Sequence, residues 1–168
     1  MTGLVADTSG LVSLGIAGQN GDLLSLCLEY YDVAVPETVV EELREVASYD
    51  DVHGDGAGRV LDQIDDLYVQ TVDLDPEFPL DDGENAAVTL ANEDDAAILL
   101  CDEFNRLGLI HASLADTRLV TTPTLLSVFV RQDRLASADA LTLLDALSET
   151  RSWDTNSYVQ RARSLLSE

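Results

Sequence analysis

The sequence predicts one α/β domain over residues 1–168, with a central, mostly parallel β-sheet and helices on both of its faces. Three observations carry this. Short apolar runs alternate with stretches of helical spacing along the chain. The run AAILLC (96–101) is apolar throughout and bounded by acids, as in a parallel strand covered on both faces. Apolar residues make up 46% of the 168, enough to build one core and to argue against a disordered chain.

The elements follow in order. GLVA (3–6) reads as a buried strand followed by a turn at Asp7-Thr8-Ser9-Gly10. Residues 11–17 and 21–30 have helical character, broken by Gly18 and by Asn20-Gly21. YDVAV (31–35) alternates as a strand does, and Pro36 then opens a helix with Val39, Leu43 and Val46 on one face. Residues 48–58 read as an acidic loop, and 59–67 show helical spacing through Val60, Ile64 and Leu67. Tyr68–Val72 is a candidate strand, 73–83 a loop with two prolines, and GENAAVTLAN (83–92) a helix. RLVTT (118–122) is a further strand, ending at Pro123 before a helix at about 124–132. A C-terminal helical pair is expected at about 137–166. Ser137 caps the first member, and Asp154 starts the second, with Tyr158, Ala162, Leu165 and Leu166 on one face.

The charge is extreme. The chain has nine arginines, no lysine and 32 acids, for a formal charge of −23. Abundant carboxylates of this kind mark the surfaces of proteins from salt-loving archaea, where concentrated potassium chloride screens acidic self-repulsion. An acidic surface for a basic partner is the alternative. Residues 1–84 carry a net charge of −18 and residues 85–168 only −5, so a polyanion would prefer the C-terminal half. No apolar stretch reaches the roughly 18 residues of a membrane span, and MTGLVADTSG has no basic start, so neither a membrane protein nor a signal peptide is expected. Cys27 and Cys101 lie in apolar runs and read as buried thiols in a reducing cytoplasm.

Ligands of such sheets gather beyond the carboxyl ends of the strands. Acids recur there: Asp7 ends the first strand, and Asp102 and Glu103 end AAILLC. Glu42 lies on the helix after the second strand, and Glu84 begins GENAAVTLA. Carboxylates brought together raise one another's pKa, and a hard divalent cation such as Mg²⁺ or Mn²⁺ relieves their repulsion. Competing chemistries lack their residues. There is no GxGxxG, no GxSxG and no CxxC, and without lysine a standard Walker A motif is impossible. Only His53 and His111 are available to a zinc site.

These residues resemble the PIN-domain nucleases. LVADTSGLVSL is similar to that family's first motif, and VAVPETVVEEL to its second, with Glu42 rather than Glu41 as the match. DDGENAAVTLA places Glu84, AAILLCDE places Asp102, and LVTTPTLLSVFVRQDRL resembles the family's following segment, with TTP where Thr-Gly-Thr is usual. The hydroxyl of that segment is therefore Thr121 or Thr122. The end of the chain, LDALSETRSWDTNSYVQRARSLL, resembles a helical pair of one archaeal and bacterial subgroup.

The resemblance implies a metal-dependent endoribonuclease that cleaves RNA phosphodiester bonds. Asp7, Glu42, Glu84 and Asp102 would hold one or two Mg²⁺ or Mn²⁺ ions, with Thr8 or Ser9 orienting Asp7 or a bound water. Arg106, Arg161 and Arg163 are candidate RNA contacts, with Arg151 also near the final helix. The expected setting is a cytoplasmic homodimer, joined through apolar positions of the N-terminal helices. The toxin of a toxin–antitoxin pair, held by an antitoxin protein, is the favoured role. The alternatives are a housekeeping RNA-processing nuclease and an inactive fold kept for RNA binding or dimerisation. Trp153 and Tyr158 are expected to anchor the last helix to the core, base stacking being the other reading of both.

Overall fold

Among the described residues, five short segments become strands. β1 is Thr2–Ala6, β2 Tyr31–Pro36, β3 Tyr68–Gln70, β4 Ile98–Leu100 and β5 Arg118–Val120. In the computed structural model, which describes residues 2–18 and 22–167, they form one sheet in the order β3-β2-β1-β4-β5. Every pairing is parallel. The register sets Leu4 opposite Val33 and Ile98, and Leu100 opposite Val120. All five carboxyl ends therefore point the same way.

The helices are α1 (Thr8–Ala17), α2 (Leu23–Tyr30), α3 (Glu37–Ala47), α4 (Val52–Asp62), α5 (Asp82–Glu93), α6 (Leu107–Ser113), α7 (Thr122–Arg131), α8 (Ser137–Arg151) and α9 (Ser157–Leu166). Successive strand side chains point to opposite faces. Leu4, Ala6, Val33, Val35, Leu100 and Val120 enter the larger core, with α1 to α4 and α7 to α9. Val5, Ala34, Leu99 and Cys101 enter the smaller core, with α5 and α6. Neighbours Leu99 and Leu100 are both fully buried, as the uninterrupted apolar run of β4 requires.

Several expectations are corrected. The residues read as a turn after β1 begin α1, because Asp7 is extended and its side chain caps the helix at Gly10 N. The acidic loop 48–58 is largely α4, which Asp51 caps. Its glycines are poor helix formers, but packing reverses that preference. A Cβ at Gly15 would lie 2.0 Å from the Gly56 carbonyl oxygen, so α1 and α4 approach through bare backbone. Helix α6 forms in LGLIHAS, a segment with few periodic positions to mark it in the sequence. In α9 the cap is Asn156, and Val159, Ala162 and Leu166 are buried while Tyr158 and Leu165 are exposed. The break expected at Asn20-Gly21 lies outside the described residues. Residues 9–17 of α1 are all buried within the chain, so this helix offers no apolar surface to a second copy. Cys27 and Cys101 are free and buried. Among the described residues, no helix is long and apolar enough to cross a membrane.

Candidate active site

Asp7 stands where β1 gives way to α1, at the carboxyl edge of the sheet. Its amide donates to Leu100 O of β4 (3.1 Å). Its Oδ1 accepts from Gly10 N (2.9 Å) and from the Ser9 hydroxyl (2.7 Å). Ser9 Oγ in turn accepts the amide of Asp102 (2.9 Å), so one hydroxyl links the two strand-end acids. Asp102 is held by Thr122, whose amide donates to Oδ1 (2.7 Å) and whose hydroxyl donates to Oδ2 (2.6 Å). Of the two threonines left open by the sequence, Thr122 therefore touches the acid. Thr121 instead caps α7 through Thr124.

Glu42 comes from α3, and its Oε1 accepts from the Thr8 hydroxyl (2.8 Å). It lies against the start of α5. A Cβ at Gly83 would fall 1.8 Å from Glu42 Oε1, so the carboxylate rests directly against the bare backbone there. Glu84, next in sequence, forms a capping box with Asp81. Its Oε1 accepts from Arg106 Nε (2.7 Å), and Arg106 Nη2 donates to Pro79 O (3.2 Å). The Glu84 side chain is 4% exposed and that of Arg106 38%. Glu84 Oε2 is buried and has no hydrogen-bond partner. Two chains of contact thus meet through the neighbours Thr8 and Ser9: Asp102–Ser9–Asp7, and Thr8–Glu42–Gly83–Glu84–Arg106.

Burial dominates the electrostatics. It pushes the Asp7 carboxyl up to about 7, against lowering by bonds from its neighbours and with further raising by Asp102. Asp102, Glu42 and Glu103 are raised for the same first reason. The acids also act on one another: Asp81, Asp82 and Glu84 raise Glu42, and Glu84 and Asp102 raise Glu103. Arg151 works the other way and lowers both Asp102 and Glu103.

The sequence held no signal for Arg151's position. From the end of α8 it reaches across the fold to donate to Ser9 O (2.8 Å) and Ser13 Oγ (2.6 Å). Arg163 is bonded to Asp145 of α8, and Arg161 is exposed on α9; neither is bonded to the four acids. Arg106, expected to meet phosphate or to form an ion pair, forms the ion pair with Glu84.

A PIN-domain family model matches residues 3–168. The chain belongs to the PIN-domain family. PIN domains are typically metal-dependent nucleases that use divalent ions. No curated protein matches the chain. The donor set of this PIN domain suits a divalent ion in kind, since every donor is a hard carboxylate oxygen and one of them, Glu84 Oε2, is buried and unpartnered. Each acid is nevertheless held by its own neighbours. Among the described residues, no group of three or more His, Cys, Asp or Glu is drawn together as an ion cage.

Proposed function

We propose that this PIN domain is a metal-dependent endoribonuclease acting on RNA phosphodiester bonds. The observation that supports it best is the buried, unpartnered Glu84 Oε2, in a fold where Glu84 acts on Glu42 and burial opposes the ionisation of Asp7, Glu42 and Asp102. A buried carboxylate oxygen left without a partner is costly, and a hard cation offsets that cost. Asp7, Glu42, Glu84 and Asp102 would hold Mg²⁺ or Mn²⁺. Such an ion, when bound, lowers the pKa of water and stabilises charge on a phosphate.

The remaining work falls to the chain's own groups. Ser9 fixes Asp7 relative to Asp102, Thr122 orients Asp102, and Thr8 orients Glu42. Arg106 sets a part-exposed guanidinium beside Glu84, suited to a phosphate oxygen. A toxin role with an antitoxin partner belongs to the same proposal. Co-expression with the product of a neighbouring gene, restoring growth that this chain alone arrests, is its test.

The decisive assay is cleavage of labelled RNA with Mg²⁺ or Mn²⁺ and with chelator, beside calorimetric titration of Mn²⁺. Asp7→Asn is expected to abolish cleavage and weaken Mn²⁺ binding while leaving the circular dichroism spectrum unchanged. Cleavage that persists in chelator, or in Asp7→Asn, refutes the metal mechanism. No Mn²⁺ binding and no cleavage by the unaltered protein leaves a non-catalytic role instead.

A further inference from the structure

A cavity of about 310 Å³ opens beside the acidic site, between α6, β5, the start of α7 and α9. Its position follows from the chain. Thr121 in its wall precedes Thr122, which holds Asp102, and Leu107 in its wall follows Arg106, which holds Glu84. The volume falls at the lower end of the roughly 300–1,000 Å³ range of small-ligand sites.

Its lining mixes apolar and neutral polar groups. Leu107 and Leu119 supply apolar wall, while Thr121, Thr124 and His111 supply hydroxyl and imidazole groups. None of its lining residues is acidic, in a chain with 32 Asp and Glu. Tyr158 completes the wall and is 46% exposed. One side of its ring is taken by Phe104, stacked at 5.6 Å and 21°, and Phe104 is braced edge-on by Trp153 at 5.0 Å. The phenol is thus a fixed, half-exposed aromatic plate rather than a core anchor. An aromatic plate, apolar wall and a few groups able to donate and accept hydrogen bonds suit a flat heteroaromatic ring with a polar edge.

We propose that this cavity is a nucleobase subsite, in which Tyr158 stacks on one unpaired base of a single-stranded RNA whose phosphate lies at the Asp7–Asp102 site. The proposal rests on the ribonuclease reading for the identity of the strand. It adds a binding role for Tyr158 and a reason for preferring single strands, since a base inside a duplex cannot enter. It also answers a difficulty of charge. A surface this acidic gains little from phosphate contacts, so base stacking supplies attraction that does not weaken with salt screening.

The test separates binding from cleavage. A fluorescent single-stranded oligoribonucleotide is titrated in molar KCl with chelator, followed by anisotropy, and compared with versions made abasic at each position in turn. One abasic position is expected to weaken binding on the order of tenfold, within the range for a single stacked base. That same position should become silent in Tyr158→Ala and stay sensitive in Tyr158→Phe. Gly108→Leu is the second variant. Gly108 lines the cavity, and a Cβ there meets nothing within 4 Å, so a side chain can be added to the wall without a clash at its first carbon. It should reproduce the Tyr158→Ala result. If the abasic series affects the unaltered protein and both variants equally, or if the unaltered protein binds no RNA, the subsite does not exist. If binding depends on Tyr158 but Mg²⁺ and Mn²⁺ elicit no cleavage, the ribonuclease reading fails and the subsite stands.

Discussion

Thr122 donates to both oxygens of Asp102, and Ser9 donates to Asp7 while accepting from the Asp102 amide. These bonds favour ionised acids that burial disfavours, so their removal should be costly. Thr122→Val removes the hydroxyl at nearly constant shape and leaves Asp102 Oδ2 without its donor. We expect a loss of roughly 1–3 kcal/mol in urea unfolding at neutral pH, with Thr122→Ser close to the unaltered protein. A Thr122→Val protein as stable as the parent would show that this bond does not support the acid. Asp7 makes a second prediction. The folded chain keeps a proton on Asp7 up to about pH 7, whereas the unfolded chain releases it above 3.8. The unfolded state therefore binds fewer protons between those values, and stability falls as pH rises from 4 to 7. In chelator the denaturation midpoint should drop across that window, and Asp7→Asn should drop less. Equal slopes for the two proteins contradict the shift.

Elements carry the acids to one edge by different means. Asp7 and Asp102 arrive with parallel strands, Glu42 on α3 and Glu84 in the first turn of α5. The capping box at Asp81 fixes where α5 begins and so where Glu84 points. Asp81→Ala should cost about 1 kcal/mol and lower cleavage by more than that stability loss explains. Retained activity would mean that α5 keeps its start without the cap. The packing of α1 on α4 makes a separate prediction. Gly15→Ala forces a methyl against the Gly56 carbonyl, and overpacking of this sort costs roughly 1–3 kcal/mol, visible as a lower urea midpoint. An unchanged midpoint would mean that the helices move apart freely.

For the whole molecule the charge of −23 is the governing quantity. Self-repulsion should destabilise the fold at low salt, and it is screened as the Debye length shrinks from ~10 Å at 0.1 M to ~3 Å at 1 M. Both the melting temperature and RNA cleavage should rise from low to molar KCl. A melting temperature that is highest at low salt would show that repulsion is not what limits stability. A homodimer remains a proposal, and its surface must lie away from α1, whose apolar residues are spent inside the chain. Light scattering in molar KCl measures it, and a monomer in that measurement removes it.

Pattern alone was enough for the alternation of strands and helices and for β4 as a central strand, because each is a local feature of type and spacing. β1 and β4 announce themselves by apolar runs, and β2 by alternation, whatever they pair with. Four matters were decided only by the folded chain. Helix α4 forms in a glycine-rich acidic segment because α1 packs against its bare backbone. Thr122 rather than Thr121 reaches Asp102 because α7 starts where it does. Arg151 lies 142 residues from Ser9, too far for any local pattern to connect them. Tyr158 sits half-exposed over a cavity because Phe104 and Trp153 take the place against the core. Each depends on contacts between distant segments, and sequence periodicity describes a segment's faces without saying what those faces meet.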